Sequence, residues 1–303
     1  MRLIHSPANT TAIVLALFGM GLFLSALPAS PARAAEPDTR TIDIGHAQLN
    51  TLVWGDRSDA ETIVALPGSG GDVTRYRDIG PTLAAAGYRL IAVNQRGIMG
   101  STGALDNLTL HDYAADVAAI IDALGVQKAH LIGWALGNRT ARVVATDHPD
   151  RVASITLIAA GGLAAPLTAP GELGELLGNA QLPVAEKVRL ARSTLFSPAT
   201  AESVVQDYVS SLQYWDAARA SQSEASRNTP IEEWWAGGSG PMLIVQGLDD
   251  KTAPPENGRQ MLAEFPDRIT LVNLENAGHL MGMEQPQATA AAIIEFLRKH
   301  PIQ

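Results

Sequence analysis

The sequence predicts an α/β protein: a mostly parallel sheet with helices on both faces, an antiparallel hairpin at its N-terminal edge, and a helical cap inserted late in the chain. Three observations carry this. From Thr62 onward, short apolar β-branched runs alternate with amphipathic ones at the spacing of strand–helix units. One long stretch, residues 162–240, breaks the alternation and contains no convincing strand. Finally, Gly133 and Gly137 frame a sharp junction between an apolar run and a helical one, in the segment HLIGWALGNR over residues 130–139.

The first 34 residues differ in character from the rest. Arg2 gives a positive start, residues 12–27 carry no charge, and Ala32-Arg33-Ala34 has the small-x-small pattern of a signal-peptidase site. Residues 1–34 therefore read as an export signal, and 35–303 as one mature domain released to the periplasm or the exterior by cleavage between Ala34 and Ala35. The apolar run is shorter than the roughly 20 residues of a bilayer span, so no stable membrane insertion is expected after cleavage.

The remaining elements follow in order. Residues 41–44 and 47–54 alternate around a turn at Gly45-His46 and predict the hairpin. Residues 62–66 form a strand ending in Pro67-Gly68-Ser69-Gly70-Gly71, followed by a helix over 76–86. The strand 89–93 ends in Asn94-Gln95-Arg96-Gly97. The helix 110–124 starts on a Thr109/Asp112 capping pair, carries the stripe Val117, Ile120, Ile121, Leu124, and stops at Gly125. The strand 128–132 runs into the glycine-framed turn, then come a helix over 136–147 and a β-branched strand over 152–159. Within the inserted segment, helices are expected at 185–193 and 201–215. Strands at 241–246 and 269–274 and a helix over 287–299 complete the chain.

Composition narrows the function. The chain has no cysteine, which excludes disulfides, thiolate catalysis and cysteine metal sites. Its net charge of -9, more acidic still once Arg2 and Arg33 are removed, argues against nucleic acid and anionic lipid and for a small-molecule partner. No histidine spacing suggests a metal, and no cofactor is called for.

The turn at 133–137 has the frame of GxSxG, in which a strand turns abruptly into a helix and lifts a serine hydroxyl into an active site. Here Ala135 stands where the serine is expected, and alanine has no oxygen to attack a carbonyl. With its order of sheet, turn, inserted helices, acid and histidine, the chain resembles the α/β-hydrolase superfamily, its capped lipase- and esterase-like branch, over residues 41–300.

That resemblance implies a catalytic acid three residues after Gly247, hence Asp250 rather than Asp249, and a histidine at His279 in Asn276-Ala277-Gly278-His279. It also implies an oxyanion hole from the backbone N–H groups of Ser69 and Leu136. Trp134, beside Ala135, and Trp215, in the inserted segment, are candidate substrate contacts. The residues themselves agree on the pair: Asp250 and His279 each follow the carboxyl end of an apolar strand, where a carboxylate can hold an imidazole in one tautomer. The chain departs from the family in Pro67-Gly68, in the Asn94–Ser101 run and in Ala135. Ser69 is a poor substitute nucleophile, because its N–H is the group needed there, and Asn138 and Arg139 are left unassigned.

The leading expectation is an enzyme acting on a small, largely apolar ester- or carbonyl-type substrate, with His279 as general base and no covalent serine intermediate. Two alternatives stand beside it: a non-catalytic ligand-binding protein, and a serine hydrolase inactivated by a serine-to-alanine change at position 135. Phe196, Tyr208, Tyr214, Trp215, Trp234 and Trp235 of the inserted segment are candidate pocket walls, although for any one of them packing the inserted helices on the body is the favoured role. N-terminal sequencing of exported protein is expected to begin at Ala35, and membrane-bound material retaining Met1 would reverse the export reading.

Overall fold

A computed structural model describes residues 36–302 apart from 56 and 58; the expected export signal at 1–34 lies outside the described residues. Eight strands form one sheet: β1 (Asp38–Asp43), β2 (Gln48–Trp54), β3 (Thr62–Leu66), β4 (Arg89–Val93), β5 (Ala129–Trp134), β6 (Val152–Ile158), β7 (Met242–Gly247) and β8 (Ile269–Leu274). Their spatial order is β1-β2-β4-β3-β5-β6-β7-β8. The pairs β1/β2 and β2/β4 are antiparallel, and all others are parallel.

Among the described residues, ten α-helices accompany the sheet: α1 (Gly80–Ala85), α2 (Leu110–Ala123), α3 (Leu136–Asp147), α4 (Glu172–Gly178), α5 (Val184–Thr194), α6 (Glu202–Ser210), α7 (Asp216–Asn228), α8 (Glu256–Glu264), α9 (Met281–Glu284) and α10 (Pro286–Lys299). The central strands are apolar throughout because helices cover both faces. In β3, Ile63 and Ala65 join the core beneath Leu83 of α1 and Ile293 of α10, while Val64 and Leu66 join the opposite core with Val117 of α2 and Val144 of α3. The period of two in the strands thus feeds two separate cores.

Three expectations need correction. The helix placed at 76–86 begins only at Gly80, because Pro81 is tolerated in a first turn but not in a helix interior. The residues before it form a 3-10 turn, Val73–Tyr76, whose Thr74 N–H is capped by Asp72 at 2.8 Å. The helix placed at 201–215 ends at Ser210, and Trp215 instead precedes the separate helix α7. Helix α8 was not expected at all, since its buried face is Asn257, Gly258 and Met261 rather than an apolar stripe.

The chain leaves β3 toward β4 on one side of the sheet and leaves β5 toward β6 on the other, so a crevice opens beyond the carboxyl ends of β3 and β5. Helices α4–α7, the inserted segment, are fastened beside it by Arg142 of α3. Its guanidinium donates to the Gly161 carbonyl at 2.6 Å, where that segment begins, and stacks 4.6 Å from the Trp234 ring centroid, where it ends. Burial and the nearby Arg139 hold Arg142 below its ordinary value, at about 9, which leaves it charged at neutral pH.

The β5–α3 junction is tight. A Cβ at Gly133 would stand 2.4 Å from the Asn138 Cα, and one at Gly137 would stand 2.2 Å from the Leu66 carbonyl oxygen. Gly137→Ala is therefore expected to cost about 3 kcal/mol or more in urea denaturation, or to prevent folding. Gly174 in α4 meets nothing within 4 Å, so Gly174→Ala is expected to stabilise by about 0.5–1 kcal/mol. Equal effects at the two positions would show that α3 is not wedged against β3.

Candidate active site

The turn after β7 carries Asp250, and the turn after β8 carries His279. The two meet: His279 Nδ1 lies 2.9 and 3.1 Å from the carboxylate oxygens of Asp250. Asp250 Oδ1 also accepts the N–H groups of Thr252 at 2.9 Å and Ala253 at 2.7 Å. With Asp250 only 1% exposed, these donors are what make a buried carboxylate tolerable. The neighbouring Asp249 accepts instead from the Ser197 hydroxyl at 2.6 Å, so the structure separates the two acids. An imidazole whose Nδ1 faces a carboxylate carries its proton there and leaves Nε2 as the basic nitrogen.

Further groups hold His279 in place. Its N–H donates to the Leu195 carbonyl at 2.7 Å, and its carbonyl accepts the indole N–H of Trp134 at 3.0 Å. Trp134, expected only as a substrate contact, is thus also a strut for the histidine. Behind the loop, Glu284 accepts the Gly278 N–H at 2.9 Å, the Ser197 N–H at 2.8 Å and the Thr200 hydroxyl at 2.5 Å. Burial pushes the Glu284 carboxyl up from its ordinary value, against the pull of these hydrogen bonds. In the sequence, Glu284 opens the run Glu284-Gln285-Pro286, five residues after His279.

Ala135 sits between β5 and α3 at φ 50° and ψ -111°, a conformation that alanine rarely adopts. Its N–H donates to the Ile158 carbonyl at 3.1 Å. A cavity of about 420 Å³ opens over it, lined by Ser69, Trp134, Ala135, Leu136, Trp215 and His279 among others, with Asp250 behind the histidine. Helices α4, α6 and α7 supply the far wall through Leu173, Leu177, Tyr208 and Ser223.

In the loop after β3, the Gly71 N–H turns back to the Gly68 carbonyl at 3.0 Å, and the Gly70 N–H donates to Gln222 Oε1 at 2.8 Å. Gln222 of α7 is itself held by Gln95 at 2.8 Å. The Ser69 N–H donates to no described residue. Leu136 opens α3, where an N–H has no intrahelical acceptor. Two backbone donors are therefore available beside Ala135, supported by a glutamine pair that the sequence did not single out.

The aromatics of the inserted segment divide between walls and packing, with packing the commoner role. Only Tyr208 and Trp215 of the six aromatics line the cavity. Phe196 packs edge-on against Tyr208, and Tyr214 lies under the Lys187 ammonium. Trp234 and Trp235 stack against Arg142, because the ends of the inserted segment need anchors more than the cavity needs walls. Asn138 points into the body and donates to the Ala159 carbonyl at 2.9 Å. Arg139, left unassigned from the sequence, lines the cavity, and so do three arginines with no local sequence signal, Arg75, Arg219 and Arg227. Among the described residues, no group of three or more His, Cys, Asp and Glu gathers as a metal site.

A family model described as alpha/beta hydrolase fold matches residues 61–286. The chain is 26% identical over 257 residues to a 2-hydroxy-6-oxo-6-phenylhexa-2,4-dienoate hydrolase of Burkholderia cepacia, covering 80% of this chain and 89% of that one. It is 29% identical over 276 residues to the dihydrolipoyllysine-residue acetyltransferase component of the acetoin cleaving system of Pseudomonas putida, covering 88% and 71% respectively. Among solved structures, a serine-to-alanine variant of the meta-cleavage product hydrolase of Pseudomonas fluorescens, complexed with acetates, gives a TM-score of 0.71 at 21% identity over 86% of this chain and 98% of that one. That last likeness is one of fold.

The backbone at Ala135 supplies a prediction of its own. Its conformation costs on the order of 1–3 kcal/mol, and a glycine would relieve that strain while losing about 0.5–1 kcal/mol to its greater freedom when unfolded. Ala135→Gly is therefore expected to stabilise the fold by about 1 kcal/mol, a rise of about 2–4 °C in Tm by calorimetry. A fall in Tm would show that the turn is unstrained.

Proposed function

This chain belongs to the alpha/beta hydrolase fold family, and we propose that it is an enzyme of that family in which His279, oriented by Asp250, activates water against a carbonyl group held over Ala135. The observation that carries the reading is the buried His279–Asp250 pair, whose imidazole borders the same cavity as Ala135. A purely binding protein gains nothing from a carboxylate placed at 1% exposure behind a histidine.

In this reading, Ala135 stands at the place where the glycine-framed turn otherwise carries serine, and its methyl leaves space for a water molecule. The substrate carbonyl oxygen accepts from the N–H groups of Ser69 and Leu136. As the water oxygen bonds to the carbonyl carbon, its proton passes to Nε2, and Asp250 stabilises the imidazolium. The negative charge collects on the former carbonyl oxygen, facing the two donors. Collapse restores the carbonyl and expels the leaving group, which takes the proton back from Nε2. No covalent intermediate forms on the protein.

The relatives reported above include a hydrolase of a 2-hydroxy-6-oxo-dienoate, which widens the carbonyl substrates to be tried beyond esters to enolisable ketones. Ala135 itself favours a second reading, in which the chain is a serine hydrolase that has lost its nucleophile.

Both readings are tested with a panel of activated esters, lactones and enolisable ketones. His279→Ala is expected to lower the native turnover by about 10²–10⁴-fold, and turnover that survives the change would overturn the proposal. Ala135→Ser separates the two readings. A gain approaching about 10⁶-fold would identify a hydrolase lacking only its serine, whereas the water mechanism predicts a gain of tens-fold at most.

A further inference from the structure

We propose that the cavity holds a carboxylate-bearing substrate, whose carboxylate is received by Arg219 of helix α7, beside Trp215 at the residue that caps it. The proposal rests on the reading of this cavity as the substrate site, and it names a substrate class that the reading leaves open.

The first observation is charge. Arg75, Arg139, Arg219 and Arg227 line the cavity, against a single acid, Asp72. The Asp72 carboxylate is occupied in capping the N–H and hydroxyl of Thr74. Among the described residues, none of the four arginines forms an ion pair with a carboxylate. A chain with a net charge of -9 has therefore gathered positive charge in one concave place, with Arg75, Arg139 and Arg219 partly buried and Arg227 exposed. Such an arrangement draws in anions and strengthens their binding.

The second observation singles out Arg219. Arg75 donates to the Ser211 hydroxyl and lies over the Tyr208 ring, and Arg139 donates to the Ser226 hydroxyl. Arg219 Nε, by contrast, is buried with no hydrogen-bond partner, and so is the indole Nε1 of Trp215 one helical turn before it. Trp215 caps α7 and Arg219 lies in its first turn, and both residues line the cavity. The two donor atoms themselves are sealed from solvent, so the carboxylate is received on the Nη edge of the guanidinium, whose charge no carboxylate of the described residues meets.

The third observation is that the arginine has a built seat. Its stem lies where a Cβ at Gly70 would come within 3.2 Å of Cδ, and its guanidinium lies where a Cβ at Gly178 would come within 2.4 Å of Nη2. Two glycines, one in the loop after β3 and one at the end of α4, thus leave the room that the side chain fills. The same loop touches the other end of the site, since a Cβ at Gly68 would stand 3.2 Å from that of Ala135. Residues two apart in a chain are separated by at most about 7 Å, so one short loop spans from the carbonyl position to the arginine. The structure therefore favours a short substrate with its carboxylate a few bonds from the reacting carbonyl. A planar guanidinium suits the two oxygens of a carboxylate better than it suits a neutral amide.

The test is a binding measurement, so that it can fail separately from the catalytic reading. Phenylacetate, phenylacetamide and inorganic phosphate are titrated calorimetrically into the full mature chain and into its Arg219→Met, Gly178→Ala and His279→Ala variants. We expect phenylacetate to bind at least about tenfold more tightly than phenylacetamide or phosphate. Arg219→Met keeps most of the stem and is expected to lose about 10–100-fold of that affinity. Gly178→Ala keeps the charge but displaces the guanidinium, and is expected to weaken phenylacetate in the same direction should the methionine variant fail to fold. His279→Ala should bind phenylacetate as the native chain does, even if it turns nothing over. Equal affinity for phenylacetate and phenylacetamide, tighter binding of phosphate, or affinity unchanged by both Arg219→Met and Gly178→Ala would overturn the proposal.

Discussion

The close approach of α3 to the ends of β3 and β5 is the constraint on which the rest of the site depends. It exists because Gly133 and Gly137 have no side chains; a Cβ on either would stand within 2.4 Å of backbone atoms. With the helix start pressed against the Leu66 carbonyl, the chain between strand and helix has only one residue in which to reverse, and Ala135 takes the strained conformation. The same approach sets the first free N–H of α3 beside the loop that carries Ser69. It also sends Arg142 inward from α3 to grip both roots of the inserted helices. One packing contact thus fixes the floor of the cavity and helps fix its roof.

The histidine side of the site is held by a different logic. Asp250 remains buried because two backbone N–H groups and an imidazole share its charge. The His279 backbone is tied to Leu195 and Trp134, and the turn before it to Glu284. Glu284 also reaches Ser197 and Thr200 in the connection between α5 and α6, so the histidine turn and the inserted segment are anchored to the same buried carboxylate. In the proposed mechanism, such preorganisation lets a single imidazole act as a base without first being ordered by substrate.

Much of this was legible in the sequence. The strands 62–66, 89–93 and 269–274 and the helix 136–147 have the expected bounds, because continuous apolar runs and a glycine-framed turn leave little freedom there. Helices α7 and α8 were not legible. Their buried faces consist of residues such as Ala218, Ser221, Gln222 and Asn257, which give no apolar period to read. The same gap hid the polar machinery of the roof: Gln222, which orients the Gly70 N–H, and Arg219, which has a seat only because two distant glycines leave it room. A residue whose role comes from residues far away in the chain leaves no local signal. Trp234 and Trp235 show the converse, since their composition suggested a pocket while their stacking partner is a fully buried arginine.

In the proposed mechanism, chemistry occurs over Ala135 with no covalent bond to the protein. Quenching the native chain at intervals during turnover of an activated ester and measuring its intact mass tests this. An unmodified mass is expected at every time point while product accumulates. A transient increase equal to the acyl group, mapped by peptide digestion to Ser69 or to any other side chain, would contradict it.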